Sequence, residues 1–289
     1  MSDANARLAL VFDDGYATDD EQIRPVLREA DAPACFAIVP RWLGDDDHLT
    51  ADELQRLADE GNEVVSHGRH HRFLQAHRLT ADAAAGDERL ALDAHVFPGE
   101  DHGVRAGDTY EVTDGERSET VTVADAAGDE EDPRVELAAP LEGAYAAGEA
   151  VCRPSQATIE DEIVGVRAAF ADLGYDPDSF VFPYDAADPR AWRLAADTYD
   201  AVANAAVRSL PNRPGAEPTD WRRYYLETTH QTRPEVGTYL DALAGTGGVG
   251  ILAGHSDWDS VPPERVAWTI RAARERGIAV TTLRDAAGD

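Results

Sequence analysis

Short apolar runs recur along the chain, and most are followed by a stretch with helical spacing. The runs at 7–12, 34–39, 63–66, 180–182, 201–204, 224–226, 249–253 and 278–282 read as strands. The stretches between them carry helix signals. Thr50-Ala51-Asp52-Glu53 is a capping box that opens a helix stopping near Gly61. A second helix runs from about 155 to 173 and ends at Gly174, a residue type that closes helices by adopting a left-handed turn. Pro262-Pro263 opens a third, with Val266, Ile270 and Ala273 along one face. Strands apolar on both faces, alternating with helices, predict a parallel α/β architecture. Seven or eight such repeats predict a distorted (β/α)7-8 TIM-like barrel more than a short open sheet.

One stretch departs from that rhythm. From about 95 to 153 the helical period gives way to two-residue alternation, as in Thr120-Val121-Thr122-Val123 and Arg134-Val135-Glu136-Leu137. Asp114-Gly115 is a hairpin signal between two such runs. The chain therefore divides into a barrel formed by residues 1–94 and 154–289, and a small all-β insertion at 95–153. An insertion of this kind is a solubilising elaboration or, as the sharper reading, a flap beside the site.

Charge changes the picture more than apolar content does. In 289 residues, 56 acids face 26 bases, a formal charge of −30, and all the bases are arginine. The acids are spread over every predicted helix and loop rather than gathered in a tail. Such self-repulsion is screened near 1 M salt, where the Debye length falls to about 3 Å, and it is the composition expected of a salt-accumulating halophile. It disfavours nucleic acid and anionic membranes as partners. No run approaches the roughly 20 apolar residues of a membrane span, and no apolar leader segment stands at the start, so the chain reads as cytoplasmic. Cys35 lies inside an apolar run and reads as a small core residue; with Cys152 far away, neither a disulfide framework nor a zinc ribbon is indicated.

The candidate chemistry sits where strands end. Val11-Phe12-Asp13-Asp14-Gly15 closes the first strand on two adjacent acids. Taken alone, Asp-Asp-Gly is a common turn. Side chains alternate along a strand, however, so one acid can hold a metal while its neighbour stays available as a base. His67-Gly68-Arg69-His70-His71 follows the third strand, Pro183-Tyr184-Asp185 another, and His255-Ser256-Asp257 another. His67 and His71 are four apart and would share a face on a helical turn, with His70 competing for the second place. Two imidazoles and a carboxylate leave coordination positions open for water or substrate. Zn2+ suits that set best, with Fe2+, Co2+ and Mn2+ as alternatives. His48, His77, His95 and His102 read as surface residues.

These motifs resemble the polysaccharide deacetylase family, the NodB-homology or carbohydrate esterase 4 group. Its Thr-Phe-Asp-Asp-Gly motif is matched by Val11 to Gly15, and its His-(Ser/Thr/Gly)-x-x-His motif by His67 to His71. Its aromatic-Pro-Tyr-Gly loop is approximated by Phe182-Pro183-Tyr184-Asp185, and its histidine-terminated strand is matched by Ile251-Leu252-Ala253-Gly254-His255. The run Arg276-Gly277-Ile278-Ala279-Val280-Thr281-Thr282-Leu283 is similar to its final strand. The resemblance covers nearly the whole chain apart from the β-rich stretch. It implies Asp14, His67 and His71 as metal ligands, Asp13 as general base and His255 as general acid. Pro183 and Tyr184 would line the substrate, with the Tyr184 backbone N–H at the oxyanion. The implied activity is metal-dependent removal of N-acetyl groups from N-acetylated carbohydrate. A carboxylate near His255 should raise its pKa, and Asp257 and Asp259 are its sequence neighbours. The third motif lacks the family's common arginine, Asp185 stands where glycine is usual, and the fourth motif has only Asp220-Trp221-Arg222-Arg223 as a nearest match.

Two other functions compete. A related C–N hydrolase acting on a cyclic amide or ureide would use the same scaffold, and metal-free relatives of that kind usually lose the ligand histidines that are present here. A non-catalytic glycan-binding protein would be expected to lose Asp13 or His255, and both are present.

Overall fold

Strand β1 (Ala6–Asp14) is the axis around which the first half of the fold is organised. It is followed along the chain by helix α1 (Arg24–Ala30), β2 (Cys35–Ile38), α2 (Ala51–Asp59) and β3 (Glu63–Ser66). Six further strands come next: β4 (His77–Arg78), β5 (Arg89–Ala91), β6 (Thr109–Thr113), β7 (Ser118–Ala127), β8 (Arg134–Leu137) and β9 (Val151–Pro154). Then come α3 (Gln156–Glu160), α4 (Val166–Asp172), β10 (Ser179–Val181), α5 (Pro189–Thr198), β11 (Ala201–Ala205) and β12 (Trp221–Tyr225). The chain ends with α6 (Arg233–Thr246), β13 (Gly248–Gly254), α7 (Pro263–Glu275), β14 (Ala279–Thr281) and α8 (Leu283–Gly288). This computed structural model describes residues 6–97, 99, 102–128, 130–205 and 210–288; positions 98, 100, 101 and 129 of the expected 95–153 insertion lie outside the described residues.

The chain forms two compact units. The first comprises Met1–His67, Arg167–Val181 and Ala195–Asp289. Its parallel strands run in the order β1-β2-β3-β10-β11-β12-β13, and β13 returns to pair with β1, closing a seven-stranded barrel. β14 adds to β1 at Arg7–Ala9, below the Val11–Asp14 segment that pairs with β2. The barrel expected from the alternating pattern is thus present, and its eight predicted strands all appear, with ends shifted by up to three residues. β12 shows the largest shift: it begins at Trp221, where Trp-Arg-Arg gives no apolar run to read.

Residue size explains how so few strands can close. A barrel's diameter grows with strand number, so seven strands leave a narrow interior. One buried cluster unites Ala9, Val11, Cys35, Ala37, Val65, Val181, Ala201, Ala203 and Ala253, mostly alanine and valine, with Leu283 and Ala286 of α8. Leu8, Leu10 and Phe12 alternate onto the other face of β1 and are also fully buried. The capping boxes form as expected at Thr50, and also at Thr232.

The second unit comprises Gly68–Val166 and Phe182–Leu194. Its antiparallel sheet has the order β4-β9-β6-β7-β8-β5. The Asp114-Gly115 turn joins β6 to β7, with Thr113 opposite Ser118. Val112, Val121, Val123, Val135, Leu137 and Cys152 lie in its core. β4 and β5 precede residue 95, and strands of two and three residues carry too little alternation to be read. His77, expected at the surface, is buried on β4 beside Asp93, and burial lowers its pKa. Among the described residues, no helix is long and apolar enough to cross a membrane.

Arg265 of α7 ties the barrel's helices to a loop. It is 1% exposed, with Nε donating to the Leu226 carbonyl at 3.1 Å and Nη2 to the Gln231 carbonyl at 2.8 Å. Arg265→Ala leaves two buried carbonyls without donors and should cost about 2–4 kcal/mol, read as a lower urea midpoint.

Candidate active site

The two acids of β1 are separated by backbone geometry. Asp14 has φ 77° and Gly15 φ 75°, so the chain leaves the strand through the left-handed region, which Asp tolerates and Gly favours. A Cβ on Gly15 would lie 2.8 Å from Ile38 Cδ1. Asp13 stays in the strand, buried, and accepts from Nη1 of Arg223 at 2.8 Å. Burial would raise the Asp13 carboxyl, but the Arg223 guanidinium and the imidazoles of His67 and His255 outweigh it. They hold the group below its ordinary range.

His67 follows β3 directly. Its Nδ1 lies 2.9 Å from the Val181 carbonyl, which assigns the ring proton to Nδ1 in the neutral form. Nε2 then faces Asp14 Oδ1 at 3.4 Å with its lone pair. His255 follows β13. Its Nδ1 is 3.3 Å from Glu227 Oε1, its Nε2 is 3.6 Å from Asp14 Oδ2, and its ring stacks on Trp258 at 4.0 Å. Burial disfavours the imidazolium; the hydrogen bond to Glu227 and the charges of Asp13 and Asp14 prevail, so its pKa is raised. The loop after His255 is tied down by Ser256, whose Oγ lies 2.7 Å from Thr18 Oγ1. Beside it, Asp19 is fully buried; burial, with the charges of Asp14 and Asp13, pushes its carboxyl well up.

In the second unit, His71 is buried with φ 54°, and its ring centroid is 4.7 Å from that of Tyr184. Pro183 is buried in the turn Pro183–Asp185, and Tyr184 and Asp185 have φ 57° and 53°. Asp185 thus adopts the left-handed conformation that glycine favours. Tyr184 stacks on Phe97 at 4.6 Å and shares a 2.6 Å hydrogen bond with His102 Nδ1. His70, the competitor of His71, is half-buried and turns Nε2 toward Asp161 at 3.4 Å.

Asp13, Asp14, His67 and His255 therefore meet at one end of the barrel, while His71, Pro183 and Tyr184 belong to the second unit. Two residues there escaped sequence reasoning. Arg223 lies two positions after Trp221, which packs in the barrel interior, so strand alternation sends the guanidinium inward. Glu227 follows the end of β12 by two residues, as Pro183 follows the end of β10. It is buried and partners His255, whereas Asp257 and Asp259 are exposed.

Residues 2–91 match the family model described as polysaccharide deacetylase. No curated protein matches the chain by sequence. Among solved structures, the chain is similar to T48 deacetylase with substrate, at 14% identity over 98% of this chain and 90% of the other, TM-score 0.52. A family 4 carbohydrate esterase from Streptomyces lividans in complex with acetate gives 12% identity over 96% and 92%, TM-score 0.50. A wild-type family 4 pseudoenzyme from Bacillus anthracis gives 11% over 99% and 66%, TM-score 0.51. At these identities the structural likeness is one of fold. Residues 2–91 thus resemble the polysaccharide deacetylase family in sequence, and the fold is similar to that of family 4 carbohydrate esterases.

The two perturbed groups define a pH window. The acid form of His255 is full below its raised pKa and is lost as pH rises through it. Glu227→Gln should therefore move the alkaline limb of kcat/KM to lower pH and leave the acid limb in place. An unmoved alkaline limb would show that Glu227 does not set the acid.

Proposed function

We propose that this chain is a metal-dependent hydrolase that removes N-acetyl groups from N-acetylated sugars or polysaccharide. The observation that carries the reading is a double pairing at one barrel end. Asp13 is held ionised by Arg223, and His255 is favoured as the imidazolium by Glu227. A base and an acid with pKa values pushed apart are the requirement for moving one proton each way in a single turnover.

The donors present fit a divalent cation. Asp14 and His67 are both buried with donor atoms 3.4 Å apart, and the other nitrogen of His67 is engaged by a backbone carbonyl, as metal-bound imidazoles usually are. His71 is assigned as the third ligand from its place in the His67–His71 motif. Zinc suits two imidazoles and one carboxylate, and Fe2+, Co2+ and Mn2+ accept the same donors. When bound, the cation supplies Lewis acidity toward water and the acyl carbonyl.

Asp13 accepts the proton of the water that adds to the acetamide carbonyl. The backbone N–H of Tyr184, in the turn set by Pro183, is assigned to the developing oxyanion. His255 gives its Nε2 proton to the amine nitrogen as the C–N bond breaks, and acetate and the free amine leave. The stretch 95–153 is an elaboration of the barrel rather than a part of this proton chemistry. The −30 charge of the chain makes molar salt the proper assay medium.

The test is acetate release from N-acetylglucosamine oligomers by metal-replete protein in molar salt. Asp13→Asn should lower kcat about 10²–10⁴-fold. A chelator should abolish turnover, and zinc should restore it. Unchanged turnover in Asp13→Asn sinks the assigned base, and indifference to chelation sinks the metal.

A further inference from the structure

The loop that carries His71 has an unusual anchor. Glu162 is 1% exposed, and its Oε2 accepts the backbone N–H groups of Arg69 at 3.1 Å, His70 at 3.0 Å and Arg72 at 3.4 Å. Its Oε1 also takes the His70 N–H at 3.1 Å. These three amides bracket His71. A buried carboxylate is costly unless it is hydrogen-bonded, and here the loop's own backbone supplies the donors.

The loop needs such a partner. Its chain passes through left-handed geometry twice, at Gly68 with φ 80° and at His71 with φ 54°. A residue other than glycine keeps that conformation only where its surroundings hold it. The loop has also left room for the anchor, since a Cβ on Gly68 would lie 2.8 Å from Glu162 Oε2. Glu162 is presented from the other side by a wide helical turn, Asp161–Gly165, inserted between α3 and α4. A second brace comes from Gly103, whose N–H donates to the His71 carbonyl at 2.8 Å.

We propose that Glu162 is a positioning residue for the metal site: its carboxylate gathers the amides of residues 69, 70 and 72 and thereby fixes His71 in the conformation that ligates. The proposal rests on the reading of His71 as a ligand. What matters is an oxygen at the position of Oε2, and a negative charge is not required. Glutamine can place its amide oxygen there. Aspartate keeps the charge but draws the oxygen back by one methylene.

Zinc affinity, measured by competition with a chromophoric chelator, separates these roles without relying on activity. Glu162→Asp should weaken binding about 10–100-fold, the usual effect of losing a partner behind a ligand. Glu162→Gln should bind as wild type. Val112→Ala, in the core of the same unit, serves as a destabilised control and should keep wild-type affinity. The visible spectrum of the cobalt-loaded protein should change in Glu162→Asp and stay unchanged in Glu162→Gln. Equal affinity in all variants, the reverse order of Asp and Gln, or an equal loss in Val112→Ala each overturns the proposal. His71→Ala is the separate arm. If it binds zinc as tightly as wild type, the ligand assignment fails, and with it the basis of the anchor; if it loses zinc while Glu162→Asp does not, only the anchor fails.

Discussion

Closure of the barrel between β1 and β13 is the constraint on which the arrangement of the candidate site depends. The two strands pair residue for residue from Ala6 opposite Gly248 to Phe12 opposite Gly254, and the next residues in each are Asp13 and His255. Asp13 and His255 are therefore brought side by side by a backbone ladder, with no flexible loop between them. That ladder exists only because the bore is narrow enough for seven strands to meet. Alanines at positions 9, 37, 201, 203 and 253 keep it so. Larger residues there would push the strands apart and move Asp13 from His255 as surely as a change at the site itself.

Closure also decides which charges meet. Arg223 reaches Asp13 from β12, and Glu227 reaches His255 from just beyond the same strand. One strand and the residues just beyond it thus partner both Asp13 and His255, pulling their pKa values in opposite directions. Arg265 holds the carbonyls of Leu226 and Gln231 on either side of Glu227, so the helix face and the site share one support. Asp14 lies between His67 and His255, and the left-handed turn at Asp14 and Gly15 is what separates its direction from that of Asp13.

The sequence made the barrel and the strand-end residues legible because both rest on local patterns. Apolar runs gave the strands, and polar residues abutting those runs gave Asp13, Asp14, His67 and His255. What stayed hidden depends on contacts distant in sequence. Arg223 could be placed only by knowing that Trp221 opens the strand, and Trp-Arg-Arg does not look like an opening. His77 looked like a surface residue because the two-residue strand that buries it has no period. Glu162 sits about 90 positions from the loop it holds, in a stretch whose sequence reads as one continuous helix, where an acid reads as a solvated side chain; the wide turn that aims it inward leaves no local pattern.

The barrel alone does not account for the pairings. A pseudoenzyme is among the proteins that share this fold, and a fold carries many activities or none. Buried ion pairs are weak grounds for stability, because apolar residues of similar volume often serve as well or better. The Asp13–Arg223 and His255–Glu227 pairs therefore call for an explanation other than folding. Each biases a protonation state: one favours an ionised carboxylate where burial would neutralise it, and the other favours the imidazolium that burial opposes. A scaffold with no proton to move would need neither, and it is this opposed pair, more than the shape around it, that argues for turnover.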